Sequence, residues 1–281
     1  MCPFSPFTAH LPGRDVTFNR PVIMGILNST PDSFFDGGKY VTPDAVLQRA
    51  RQLLADGADI IDLGVVSSRP GAELLAPEEE AARLAPLVSM LRAHLPEAII
   101  SVDTCFSLPA AKAVEAGADI INDISGGQFD DNMFPTVARL GVPYILMHTC
   151  GTPNEMQQHT QYADIVEDLK SYFSDKIAAL QQLGVRDIWI DPGFCFAKTV
   201  EQNHQLLHRL DELVAAFPQF PLLTALSNKS MIIKIIGKEA ADSELGTLAL
   251  NSVALEKGSS LLRVHSPHPS RLAIELLNHT F

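Results

Sequence analysis

The sequence predicts an α/β chain folded as a (β/α)8 barrel of the TIM type. It forms a single domain over residues 21–281 behind a short N-terminal extension, residues 1–20. Three observations carry that expectation. Eight short apolar runs recur along the chain, each followed by apolar residues at helical spacing. Each run ends in a polar residue. No linker divides the sequence, so a doubly wound sheet, which would need fewer strands or a second domain, finds no boundary.

Taken in order, Val22 to Leu27 is short and apolar enough for a buried strand, and it stops at Asn28. Ser29-Thr30-Pro31-Asp32-Ser33 cannot continue it, and Asp36-Gly37-Gly38 keeps the loop open until a helix begins near Pro43. Ala45, Val46, Leu47, Ala50, Leu53 and Leu54 give Pro43 to Asp56 its apolar face. Gly57 suits the left-handed position that closes a helix. Ile60-Ile61 runs into Asp62. Glu78 to His94 is the next helix, entered through Pro77, with Glu78-Glu79-Glu80 favouring its N-terminal dipole. Ile99 to Val102 ends at Asp103, ahead of a helix from Pro109 to Ala116. Ile120-Ile121 ends at Asn122-Asp123, ahead of a helix around Met133 to Leu140. Tyr144 to Met147 ends at His148, ahead of an amphipathic stretch from Tyr162 to Leu183. Ile188-Trp189-Ile190 ends at Asp191, and a single helix is expected from Val200 to Phe217. Leu222-Leu223 ends near Ser227-Asn228-Lys229, followed by a helical region that reaches Lys257-Gly258. Leu261 to Val264 ends at His265, and Pro269 to Leu277 is the last helix. Gly-Ala-Asp-Ile-Ile occurs at Gly57 to Ile61 and again at Gly117 to Ile121, a repeated junction between helix and strand. The extension reads as a short hairpin over the barrel floor.

Composition narrows the function. Apolar residues make up 46% of the chain, enough for a sizeable core. Net charge is −12 with no basic run, which argues against nucleic acid or an anionic membrane as partner. No run approaches a membrane span, and Met1 to Gly13 lacks the pattern of a secretory signal. The four cysteines are far apart with no C-x-x-C, so they read as free thiols in a reducing cytoplasm rather than a zinc site.

In a barrel all strand ends meet at one rim, where such enzymes do their chemistry. Asn28, Asp62, Asp103, Asn122, His148, Asp191, Ser227 and His265 are therefore expected together. One polar strand end is ordinarily an anchor. Several carboxylates on one rim need a donor-rich ligand or cations, because burying them unpaired is costly. Arg69, Lys229, Arg263 and His265 supply the cationic side, and Arg263 and His265 share a face by alternation. Ser, Lys and helix-terminal N–H groups suit a phosphate or diphosphate. His148 is read as structural. His204, His208 and His268 are read as surface residues, Met147 as filler, and Cys105, Cys150 and Cys195 receive no role.

The ordered set Asn28-Ser-Thr-Pro-Asp-Ser-Phe34, Ile61-Asp-Leu-Gly64, Ser67-Ser-Arg-Pro-Gly71, Ser101-Val-Asp-Thr104, Ile121-Asn-Asp123, Leu146-Met-His148, Asp191-Pro-Gly193, Phe196 and Arg263-Val-His265 resembles the dihydropteroate synthases. The resemblance covers nearly all of the chain after residue 20. It implies a transferase of folate biosynthesis, in which p-aminobenzoate displaces diphosphate from 6-hydroxymethyl-7,8-dihydropterin diphosphate to give 7,8-dihydropteroate. It also implies that Asp103, Asn122 and Asp191 hydrogen-bond the pterin and that Lys229 contacts its carbonyl side. Asn28, Arg263 and His265 would hold diphosphate, with Asn28 as the protein ligand of Mg²⁺, and Asp62 and Asp103 would stabilise charge on the reacting methylene. Ser68, Arg69, Phe196 and Ser227 complete the substrate contacts. The Thr30-to-Gly38 and Ser67-to-Gly71 loops would close over the site, sulfonamides would compete with p-aminobenzoate, and the assembly would be a homodimer. The chain departs from the family at Asn228 (usually Arg), Val65-Val66 (Gly-Glu), Ser68 (Thr), Ser29 (Val) and Ser266 (Asp). Two rivals stand beside this reading: a pterin-dependent methyltransferase of the same fold, and a non-catalytic pterin-binding paralogue.

Overall fold

The computed structural model describes residues 4–29, 42–66, 74–237 and 239–280. Strands β1 (Phe7–Leu11) and β2 (Arg14–Phe18) pair antiparallel as a hairpin. The barrel strands are β3 (Val22–Asn28), β4 (Ile60–Gly64), β5 (Ile99–Asp103), β6 (Ile120–Asp123), β7 (Tyr144–Met147), β8 (Ile188–Asp191), β9 (Leu223–Thr224) and β10 (Leu261–Val264). They form an eight-stranded parallel sheet in the order β8-β7-β6-β5-β4-β3-β10-β9. The ring closes where the Ile190 N–H donates to the Pro221 carbonyl at 2.9 Å, beside a parallel bridge from Ile190 to Leu222. Eight parallel strands with helices between them make the nearly closed (β/α)8 barrel that the strand count predicted.

Strand alternation sorts the side chains into two populations. Ile23, Leu27, Ile61, Leu63, Ile100, Val102, Ile121, Leu146, Ile190 and Val264 face outward and pack against the helices. Val22, Met24, Ile60, Ile99, Ile120, Ile145, Trp189, Leu223 and Leu261 face inward and fill the lower barrel. The hairpin covers this inner plug. Ala9 and Leu11 join it, and the Phe7 ring meets Trp189 edge-on at 5.6 Å. Two residues further along the inward faces of β4, β5, β6, β8 and β10, the apolar plug gives way to Asp62, Ser101, Asn122, Asp191 and Arg263.

The helices are α1 (Pro43–Ala55), α2 (Pro77–His94), α3 (Ser107–Glu115), α4 (Met133–Leu140), α5 (Ile165–Gln182), α6 (Val200–His208), α7 (Leu210–Ala216), α8 (Ser230–Ile236), α9 (Ala240–Glu256) and α10 (Pro267–Thr280). The single helix expected over Val200 to Phe217 is two. Arg209, at φ −106° and ψ 19°, ends α6 and starts α7 while its guanidinium holds Asp164 and Glu212. Leu206, Leu207, Leu210 and Leu213 keep one buried face across the break, so periodicity does not register it. Strand β4 also runs two residues past its expected end, which places Asp62 inside the strand.

Candidate active site

Register places the polar layer. Asn28 pairs with Gly64, Gly64 with Asp103, and Asp103 with Asn122, making one lateral row over four neighbouring strands. A methyl group on Gly64 would stand at ordinary contact distance, 3.4 Å from Asp103 Cβ and 3.5 Å from Asn28 Oδ1, so Gly64 lies between those two side chains. One layer below, Asp62 lies beside Ser101. Asp191 ends β8, Arg263 lies on the inward face of β10, and His265 follows that strand.

Arg263 is the hub. Its Nε donates to Asp62 Oδ2 at 2.6 Å and its Nη2 to Asp103 Oδ2 at 2.7 Å. The remaining Asp62 capacity is taken by Ser101 Oγ, 2.7 Å from Oδ1, and by Asn122 Nδ2, 3.1 Å from Oδ2. Asp62 is fully buried. Burial pushes Asp103 upward, to about 7, against the pull of Arg263 and with the help of Asp62, Asp123 and Asp191. Burial likewise raises Asp191, opposed by Lys229, the Gly193 N–H and Arg263, and it lowers Lys229. Arg263 moves the other way: its two carboxylates outweigh burial and hold it more firmly protonated.

Across the mouth, Lys229 Nζ donates to the Phe194 carbonyl at 2.6 Å and sits 4.9 Å from the centre of the Phe196 ring. Ser227 Oγ lies 2.9 Å from His265 Nδ1 and accepts from the His265 N–H at 3.2 Å. The Arg49 Nη2 holds the His265 carbonyl at 2.6 Å. Cys105, Ile124 and Met147 form a small apolar wall with Phe129 and Phe196. Asn228, where an Arg is usual, has φ +56°; its Oδ1 accepts from Ser243 Oγ at 2.8 Å, and its N–H donates to Thr247 at 3.1 Å. It ties the start of α8 to α9.

Of the expected site residues, Asn28, Asp62, Asp103, Asn122, Asp191, Phe196, Ser227, Lys229, Arg263 and His265 fall at this end of the barrel. Ser68 and Arg69 lie outside the described residues, as do the Thr30-to-Gly38 and Ser67-to-Gly71 loops. Asp123, next to Asn122, faces outward and fixes the loop after β6 by accepting from Ser125, Gly127 and the Tyr144 hydroxyl. His204, expected at the surface, is half-buried with Nε2 3.1 Å from the Met231 carbonyl.

Among the buried charged residues that escaped the sequence reading, Glu80 and Lys198 lie nearest the site. Glu80, read only as favouring the dipole of its helix, is 2% exposed, and its Oε1 has no hydrogen-bond partner among the described residues. Burial raises it to about 7, with Asp103 and Asp123 adding to the rise and Thr104 opposing it. Lys198 is also 2% exposed, beneath the loop after β8. Its only signal in the sequence is its place seven residues past Asp191 in an otherwise apolar, turn-rich segment.

The profile of the "Pterin binding enzyme" family matches residues 24–265. The chain belongs to that family. Within it, the chain is similar to the dihydropteroate synthase of Streptococcus pyogenes serotype M3, 37% identical over 270 residues, covering 95% of this chain and 98% of that one. It also resembles the Yersinia pestis dihydropteroate synthase solved in complex with a sulfonamide drug. That match has a TM-score of 0.91 and 34% identity, and covers 98% of this chain and 99% of that one. The Thermus thermophilus synthase matches in complex with 4-aminobenzoate, with TM-score 0.86, 35% identity, and 98% and 100% of the two chains covered. It matches again in complex with 6HMPPP, with TM-score 0.83, 33% identity and the same coverage. The resemblance read from motifs and the pterin-binding family membership therefore agree. The barrel interior of this pterin-binding enzyme carries its polar groups on the end where the family's motifs lie.

Proposed function

We propose that the chain is a dihydropteroate synthase, a transferase that joins p-aminobenzoate to 6-hydroxymethyl-7,8-dihydropterin diphosphate with loss of diphosphate. The observation that carries this is the lateral row of Asn28, Asp103 and Asn122 facing Asp191 and Lys229 around one mouth. A flat heterocycle with amino and ring N–H donors on one edge and a carbonyl on the other fits such a ring of acceptors and one cation. Asp103, Asn122 and Asp191 take the pterin donors. Lys229 meets the carbonyl side, with Phe196 as the aromatic face toward p-aminobenzoate.

The chemistry is a displacement at the pterin methylene. The neutral aromatic amine attacks carbon, the C–O bond to diphosphate breaks, and the leaving group keeps the electron pair. The amine proton then passes to water, so no strong base is needed. Asp62 and Asp103 favour positive charge at that carbon, in a field softened by their shared Arg263. Ser227, His265 and Arg263 form the anion side. Two of the Arg263 donors are committed to carboxylates, so its contribution to diphosphate is mainly long-range charge.

Mg²⁺ fits this donor set. Asn28 carries a hard amide oxygen at the end of the row, and a Mg²⁺ bound chiefly by phosphate oxygens and water would need one protein ligand only. Among the described residues no group of three or more His, Cys, Asp or Glu is placed to hold a metal, and this arrangement does not call for one. When bound, the ion would neutralise the departing diphosphate. Assembly as a homodimer would cover the exposed apolar side chains of Leu245, Val253 and Leu272 on the adjoining helices α9 and α10. No helix of the described residues is long and apolar enough to cross a membrane, and the half-buried thiols of Cys150 and Cys195 suit a reducing cytoplasm.

The deciding experiment is diphosphate release from the purified protein supplied with pterin diphosphate, p-aminobenzoate and Mg²⁺. Release that requires both substrates is expected. Tight pterin binding without release would instead make the protein a binding paralogue.

A further inference from the structure

Lys198 is used by no step above, yet it is a lysine buried to 2% exposure at the back of the site. Its ammonium has three N–H donors, and three acceptors surround it: His148 Nδ1 at 3.0 Å, the Gly193 carbonyl at 3.0 Å and the Phe196 carbonyl at 3.1 Å. All three donors are thus spent, two of them on one short loop. That loop is costly to hold. Gly193, Cys195 and Ala197 have φ of +68°, +67° and +51°, and two of these are not glycine. At Gly193 no other residue fits, because a Cβ would stand 1.9 Å from the His148 carbonyl.

The same loop supplies the pterin side of the mouth. The Gly193 N–H donates to Asp191 Oδ1 at 2.8 Å, the Phe194 carbonyl anchors Lys229, and the Phe196 ring lies against the Lys229 ammonium. We infer that Lys198 is a positioning residue: its ammonium ties the strained 193–197 loop to His148 and so fixes Asp191, Lys229 and Phe196 in the geometry that reads the pterin. It does not touch substrate. His148 accepts this bond at Nδ1, which places the ring proton on Nε2, and burial beside Lys198 holds the imidazole far below its usual pKa. The other groups that bear on the Lys198 charge are Asp191, Cys150, Cys195 and Lys229. Burial lowers Lys198 to about 7, with Asp191 opposing the fall.

The inference rests on the pterin reading of Asp191 and Lys229, so its test separates the two. Pterin diphosphate binding is measured by calorimetry on the wild-type protein and on Lys198→Met, with steady-state KM for each substrate alongside. Lys198→Met should weaken pterin affinity by about 10- to 100-fold, the scale of an ångström-level misplacement, and should also raise the p-aminobenzoate KM, because the same loop carries Phe196. A folded Lys198→Met with pterin affinity within twofold of wild type overturns the inference and leaves the function intact. A wild-type protein that binds no pterin overturns the function itself. If Lys198→Met does not fold, His148→Ala decides. It removes one of the three acceptors and keeps both loop bonds, so pterin affinity should fall about three- to tenfold, a fraction of the ångström-level effect. Unchanged affinity in that variant overturns the inference.

Discussion

Arg263→Met tests the electrostatic design of the site most sharply. In the structure one guanidinium joins two buried carboxylates, Asp62 at 2.6 Å and Asp103 at 2.7 Å, with side-chain exposures of 14% for Arg263, 0% for Asp62 and 12% for Asp103. Methionine keeps most of the stem and removes the charge, leaving two close carboxylates without a cation. Removing one partner of a buried pair costs about 3–5 kcal/mol, because the other charge stays buried. In a chain of this length about 1 kcal/mol moves the melting temperature by about 2–4 °C, so a fall of about 6–20 °C is expected. The loss must depend on pH. Without Arg263 the folded-state pKa of Asp103, already raised by burial, rises further above its unfolded value. A carboxyl raised on folding binds its proton more tightly in the folded state, so its destabilising effect grows as pH rises. The assay is thermal unfolding of both proteins at pH 5 and pH 8. The deficit should be larger at pH 8, and Asp103→Asn in the same chain should recover part of it. A deficit under about 1 kcal/mol, or one equal at the two pH values, would refute the reasoning.

Other expectations follow the same geometry. Lys229→Ala and Asp191→Asn should each weaken pterin affinity by calorimetry, by about 1.5–3 kcal/mol for a charge-assisted hydrogen bond, and unchanged binding in both would remove them from the site. Pterin affinity should fall on both sides of neutrality: toward acid as Asp103, raised to about 7, is protonated and ceases to accept, and toward alkali as Lys198, lowered to about 7, loses a donor. In Lys198→Met the alkaline limb should weaken to the part due to Lys229, which burial also lowers, and the acid limb should persist, read from affinity across pH 5 to 9. Asp123→Asn should lower the melting temperature, since a carboxylate accepting four bonds becomes an amide, while pterin affinity holds, because Asp123 faces away from the barrel interior. Asn228→Arg should cost about 1 kcal/mol of stability through the lost Ser243 bond and the left-handed backbone; an unchanged melting temperature would show that bond to be idle.

The barrel was legible because its signals are local and repeated. Each apolar run ends in a polar residue, and period-two alternation puts Arg263 and His265 on one face; that Asp62, Ser101, Asp103, Asn122 and Asp191 face inward is shown by the barrel register. What the sequence hid depends on partners distant along the chain. The motif around Arg263 reads as anion binding, but its guanidinium is shared between carboxylates 160 and 201 residues away. Glu80 belongs to a run of three glutamates that looks solvated, and only packing turns one of them inward. Lys198 resembles any surface lysine until the loop folds over it. The break at Arg209 keeps the apolar face continuous, so the helical period passes straight through it.

The central claim is that this mouth holds a pterin by its polar edge. A crystal structure with the pterin and p-aminobenzoate bound tests it directly. The pterin ring should lie with its donors at about 2.7–3.2 Å from Asp103, Asn122 and Asp191 and its carbonyl edge toward Lys229. A pterin found elsewhere on the protein, or in this mouth with those side chains turned away from it, would contradict the account.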